Sequence, residues 1–148
     1  MDRTASTLPD DSVVTELPRP LPSGPVVVSV CVNCKSSDGA VVGPAMLEAV
    51  TAALDELDVA VMVRPVQCLS VCKRPTTVAV TSQDGYTFLF GDLLPDTGSD
   101  AVASFVQSYQ ASDYGLVPWR ERADVLRKGM VARVPPLRWS PEDGRAPK

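Results

Sequence analysis

"CLSVCKRPTTVAV", from Cys68 to Val80, sets two thiols, two cations and a proline directly ahead of an apolar, β-branched run. The stretch reads as a loop feeding a strand, "TTVAVTS". The remaining two cysteines, Cys31 and Cys34 in "CVNCK", close another such run, "VVVSVCV" (Val26–Val32). All four cysteines are therefore spent on two tight pairs, each in a loop attached to a strand.

Between the pairs, "KSSDGAVVG" is a loop and Pro44 suits the first turn of a helix. Leu47, Val50, Leu54 and Leu57 then repeat at helical spacing down one face. "VAVMVRPVQ" (Val59–Gln67) is a second strand and delivers the chain to Cys68. Beyond "TTVAVTS", the turn "QDG" leads into "YTFLFG", where Tyr86, Phe88 and Phe90 alternate as core residues. Gly91-Asp92 reads as a loop turn or a helix cap, with no chemistry assigned. A further helix is expected over Ser99–Gln110, burying Val102, Phe105, Val106 and Tyr109. The order is β-α-β-β-β-α, an α/β layer with a mixed sheet.

The ends differ from this middle. Residues 1–25 hold five prolines and are expected as a disordered arm. Residues 113–148 carry eight basic and five acidic side chains, against six and thirteen in residues 1–112. This basic C-terminal extension is expected to pack on the domain spanning 26–112. It should be irregular and partly helical, with a short helix from Pro118 to Gly129. Trp119 and Trp139 are its expected anchors.

Composition narrows the function. The chain has 148 residues, 45% hydrophobic and 22% charged, which suits one ordinary globular domain. Its formal charge of −4 disfavours non-specific nucleic-acid binding. No apolar run approaches membrane-spanning length, and the acidic start "MDRTASTLPDD" is unlike a secretory signal. A cytoplasmic protein is expected, and in a reducing cytosol paired cysteines point to metal or redox chemistry. The histidine count is zero, which excludes Ser-His-Asp triads, Cys-His nucleophiles, Cys₂His₂ zinc sites and Rieske centres. Any metal centre must rest mainly on thiolates, with carboxylates as a poorer supplement. No glycine-rich phosphate loop and no acid/base constellation is present, so a carrier or metal-binding protein is expected rather than an enzyme.

Three occupants compete for a pocket of four thiolates. A Cys₄ zinc site is one, although zinc-ribbon pairs usually lie about 15–20 residues apart and here a helix and a strand intervene. A dithiol–disulfide site on Cys31 and Cys34 is the second, and it leaves Cys68 and Cys72 unexplained. An iron–sulfur cluster is the third: a two-iron rhomb takes two cysteines per iron, which matches two pairs on two loops. Four thiols buried as small hydrophobes are the plain alternative, but chance burial does not pair them in loops. Lys35, Lys73 and Arg74 flank the cysteines, either as solvated surface charges or as cations that raise a cluster's potential and receive an acidic partner.

C-x-x-C, then helix and strand, then C-x-x-x-C with a proline and a β-hairpin, resembles the thioredoxin-like [2Fe-2S] ferredoxins. That group includes the cluster-bearing domain of a small subunit of respiratory complex I. "CLSVCKRPTTVAV" is the closer match; those families place more residues between their first two cysteines. The chain is also similar to a bacterial family of predicted metal-binding proteins of unknown function, through "FGDL" (Phe90–Leu93) and "ARVP" (Ala132–Pro135). The resemblance covers roughly Val26 to Pro135. It implies a thioredoxin-like fold, a [2Fe-2S] cluster on Cys31, Cys34, Cys68 and Cys72, and a cis Pro75. The function it implies is one-electron transfer, or cluster-dependent support of a partner enzyme. A protein redox partner is expected, nucleic acid and membrane are not, and pairing into a homodimer is left open.

Overall fold

The computed structural model describes residues 25–35, 38–58 and 60–137. The chain runs β1 (Val26–Cys31), α1 (Gly43–Glu56), β2 (Val61–Val66), β3 (Val78–Thr81), β4 (Thr87–Phe90), α2 (Thr97–Gln110), α3 (Asp124–Lys128) and β5 (Met130–Val134). Single 3₁₀ turns lie at Asp113–Gly115 and Trp119–Glu121. The strands form one mixed sheet in the order β2-β1-β3-β4-β5. β1 and β2 are parallel, and the other pairings are antiparallel. The expected α/β order stands. The proline-rich arm lies outside the described residues except for Pro25, and so does Trp139.

Period-two alternation places the core. Register aligns Val28 with Val80 and Val80 with Phe88, and likewise Val30 with Val78 and Val78 with Phe90. These two rows are fully buried on one face of the sheet. α1 packs on β1 and β2 and against α2, so both helices cover that face. α2 contributes Val102, Phe105, Val106 and Tyr109, the stripe expected from its sequence. Phe105 meets Phe88 and Phe90 edge-on, each at 5.0 Å between ring centroids. Truncating such a ring to alanine costs about 3–5 kcal/mol. Asp96 caps α2, its carboxylate accepting the Thr97 N–H at 2.6 Å.

Several expectations need correction. The buried face of α1 is Met46, Val50, Ala53 and Leu54, while Leu57 lies past the last turn and is 41% exposed. The stripe is rotated because the helix sits with Met46, not Leu47, over the sheet. β2 is an edge strand with an alternating, half-exposed pattern, which is why Pro65 is tolerated within it. The helix expected from Pro118 to Gly129 shrinks to Asp124–Lys128 behind the 3₁₀ turn. Directly after it comes β5, a strand not expected from the sequence, pairing with β4. Trp119 is 56% exposed and is no anchor by burial. The extension is held instead by buried Leu116, Val117, Leu126 and Arg122. The Arg122 guanidinium donates twice to the Val117 carbonyl and lies between the Phe88 and Trp119 rings, 5.3 and 5.4 Å from their centroids.

Candidate metal centre

The parallel pairing of β1 and β2 sends both strands out at the same edge of the sheet. Cys31 is the last residue of β1 and pairs with Val66, so Cys68 follows only two residues beyond its partner. The N–H of Cys31 donates to the Thr77 carbonyl at 3.0 Å, and that of Val32 to the Val66 carbonyl at 2.9 Å. The two loops therefore leave the sheet side by side, with Thr77 at the start of the returning strand between them.

Gly43 fixes the first loop from the helix side. A β-carbon there would lie 2.3 Å from the Val32 carbonyl carbon and oxygen, so only glycine lets α1 start against the Cys-x-x-Cys turn. The Val42 N–H donates to the Cys34 carbonyl at 3.0 Å, and Lys35 bridges Val41. Cys31 and Cys34 are consequently buried, while Cys68 and Cys72 are exposed. The Cys68 sulfur accepts the Ser70 N–H at 3.1 Å. Ser70 and Thr76 both take left-handed backbone, φ +61° and +63°. The peptide before Pro75 is trans, against the resemblance-based expectation of cis, because Thr76 makes the turn into β3.

All four cysteines line one cavity of about 670 Å³, with Lys35 and Lys73 on its wall and Gln67 and Pro75 between the loops. The Cys31 thiol reaches the Gln67 carbonyl at 3.7 Å and the Cys34 thiol the Thr77 hydroxyl at 3.9 Å. Burial pushes both buried thiols up. At Cys34, hydrogen bonds from the Cys31 thiol and from the Thr77 and Thr76 N–H groups together outweigh burial, so it titrates below the ordinary cysteine value. Cys31, which gives that bond, titrates above it. Among the described residues, no three cysteine, aspartate or glutamate side chains gather tightly enough to hold a metal ion as they stand. The donor set lining the cavity, four thiols with no histidine, suits a thiophilic centre.

Of the three expected cations, Lys35 and Lys73 are exposed at this cavity. Arg74 is not a free charge. Its Nε donates to Asp92 Oδ2 at 2.8 Å, Nη1 to the Met130 carbonyl at 2.9 Å and Nη2 to the Lys128 carbonyl at 2.7 Å. Gly91-Asp92, read from sequence as a loop turn or a helix cap without chemistry, is the far side of this junction. The Asp92 N–H donates to the Pro75 carbonyl at 2.9 Å, and a β-carbon on Gly91 would lie 2.6 Å from the Arg74 carbonyl oxygen. Sequence reasoning missed Gly43, Gln67, Thr77 and Asp92 as supports of the site. Only the "FGDL" segment carried a signal for any of them.

A family model described as "Protein of unknown function (DUF1636)" matches residues 28–136. No curated protein matches the chain. The structure is similar to that of a thioredoxin-like [2Fe-2S] ferredoxin from Aquifex aeolicus, with 13% identity and a TM-score of 0.50, covering 79% of this chain and all of that one. A second structure, of the wild-type thioredoxin-like [2Fe-2S] ferredoxin from the same organism, shares 14% identity over 74% of this chain and 99% of that one, with a TM-score of 0.49. At such identity the first likeness speaks for the fold, which is thioredoxin-like as expected. No helix among the described residues is long and apolar enough to cross a membrane.

Proposed function

The chain belongs to the family described as protein of unknown function (DUF1636), and on that footing we propose that it is a metal–thiolate protein whose centre is a [2Fe-2S] cluster on Cys31, Cys34, Cys68 and Cys72. One observation carries the reading: every thiol of a histidine-free chain lines the same cavity, two from each of two loops. The likeness of the fold to a thioredoxin-like [2Fe-2S] ferredoxin favours a cluster over zinc.

When bound, a cluster of this kind supplies a one-electron couple. The chain's own residues do the rest. Cys31 and Cys34 hold the buried side, and the Thr77 hydroxyl and the Thr76 and Thr77 N–H groups offset the thiolate charge there. Cys68 and Cys72 hold the exposed side, where electrons can pass to a partner. Lys35 and Lys73 border that opening and offer a docking point for an acidic protein. The role is one-electron transfer to a protein partner, or support of a partner enzyme through the same centre.

Two free, buried thiols in one Cys-x-x-Cys turn favour a second reading, dithiol–disulfide exchange at Cys31 and Cys34 alone. Anaerobic reconstitution with ferrous iron and sulfide separates the two. Visible absorption with stoichiometric iron and sulfide is the expected result. A colourless chain holding zinc would overturn the cluster. A metal-free chain that cycles Cys31 and Cys34 with both Cys68 and Cys72 changed to serine would favour the dithiol.

A further inference from the structure

We infer that Arg74 is a positioning residue of this site: it ties the loop bearing Cys68 and Cys72 to the C-terminal extension and so sets where those thiols stand opposite Cys31 and Cys34. The role presupposes the thiolate centre proposed above. Cys31 and Cys34 are held by β1 and the start of α1. Cys68 and Cys72 lie in a loop with no regular structure between Gln67 and Thr77, and both are exposed. Something must order that loop, because a flexible pair of ligands binds weakly.

Arg74 does so from both ends of the residue. Its N–H donates to the Val71 carbonyl at 3.0 Å, closing the turn that carries Cys72. Its carbonyl accepts the Thr77 hydroxyl at 3.3 Å and the Asp92 N–H at 3.4 Å. Its guanidinium spans the Asp92 carboxylate and the Lys128 and Met130 carbonyls. One planar group thus grips the turn after β4 and the junction of α3 with β5, two residues from a ligand. Lysine has the charge for Asp92 but lacks the fork that reaches three acceptors at once. The extension thereby becomes part of the site's frame, although none of its described residues lines the cavity.

The test uses the full chain with Arg74→Ala, Arg74→Lys and Asp92→Asn, reconstituted anaerobically with ferrous iron and sulfide. Iron release to a ferrous chelator and the visible circular dichroism spectrum are read on the loaded proteins. Maleimide labelling of each cysteine, resolved by mass spectrometry, is read on the metal-free ones. Arg74→Ala and Arg74→Lys should both release iron at least tenfold faster and change the dichroism. Labelling should rise at Cys68 and Cys72 and stay at the wild-type rate at Cys31 and Cys34. Asp92→Asn, which keeps a weaker acceptor, should fall between and decides the matter if Arg74→Ala does not fold. Labelling that rises equally at all four cysteines, with the wild-type dichroism retained, would overturn positioning in favour of general stability. Full rescue by lysine would overturn it in favour of charge alone. If the wild type takes up no iron, the cluster reading fails by itself, and the labelling pattern still decides whether Arg74 orders the loop.

Discussion

At the scale of single residues, a chain without histidine has no ready substitute for a lost thiolate. Changing Cys68 or Cys72 to serine should therefore strip or bleach the centre as severely as changing Cys31 or Cys34, despite the difference in burial. Full iron content in either exposed-pair variant would remove that pair from the ligand set. On the proposed reading, Lys35 and Lys73 would act through charge alone. Lys35→Ala with Lys73→Ala should leave iron content unchanged and lower the reduction potential, since the more negative reduced state loses two neighbouring cations. Reaction with an acidic partner should slow, most of all at low salt. A wild-type potential and rate would make them solubility charges only. Arg74 is absent from this pair because Asp92 already balances it. That balance was not legible in the sequence: its acceptors lie 18, 54 and 56 residues away. The cysteine pairs were legible because each is a local spacing, complete within five residues.

At the scale of elements, packing decides what period alone cannot. Gly43→Ala should cost about 1–3 kcal/mol of stability by forcing α1 off the first cysteine turn. It should also weaken metal retention, and a variant with unchanged denaturation midpoint would show that the helix start has room to shift. α2 is tied to the β3–β4 hairpin by Tyr109, whose hydroxyl donates to the Tyr86 carbonyl at 2.6 Å and sits 3.0 Å from Ser82 Oγ. Burial pushes this phenol up to about 12, against about 10 in an unfolded chain. The unfolded state therefore ionises first. The stability present below pH 10 should fall by about 2–3 kcal/mol as pH rises to 12. Urea midpoints across that range should decline in the wild type and decline less in Tyr109→Phe. Both long helices and the hairpin could be read from period and turn chemistry, because each signal is local. β5 could not: five residues before Pro135 become a strand only because β4 offers an open edge, and that edge is created far away in the chain.

At the scale of the whole molecule, the β-α-β-β-β-α order emerged from the sequence, the thioredoxin-like fold from the resemblance, and the meeting of the cysteine loops from the order. What stayed hidden was how much of the frame the C-terminal segment supplies: its basic shift, short helix and tryptophans suggested packing but not a fifth strand. The side-by-side exit of β1 and β2 has a mechanical consequence. A group bound by all four thiols would act as a clasp on an outermost, half-exposed strand, closing the β1–α1–β2 span much as a cross-link closes a loop. Without it, β2 should breathe open ahead of the aromatic core. Hydrogen–deuterium exchange should then slow on loading in the amides of Val61–Val66, while those of Thr87–Phe90 exchange alike with or without metal. Equal protection of both strands in the metal-free protein would mean that β2 needs no clasp. Slower exchange confined to β2 would mean that the centre closes the sheet's weakest seam as well as carrying its chemistry.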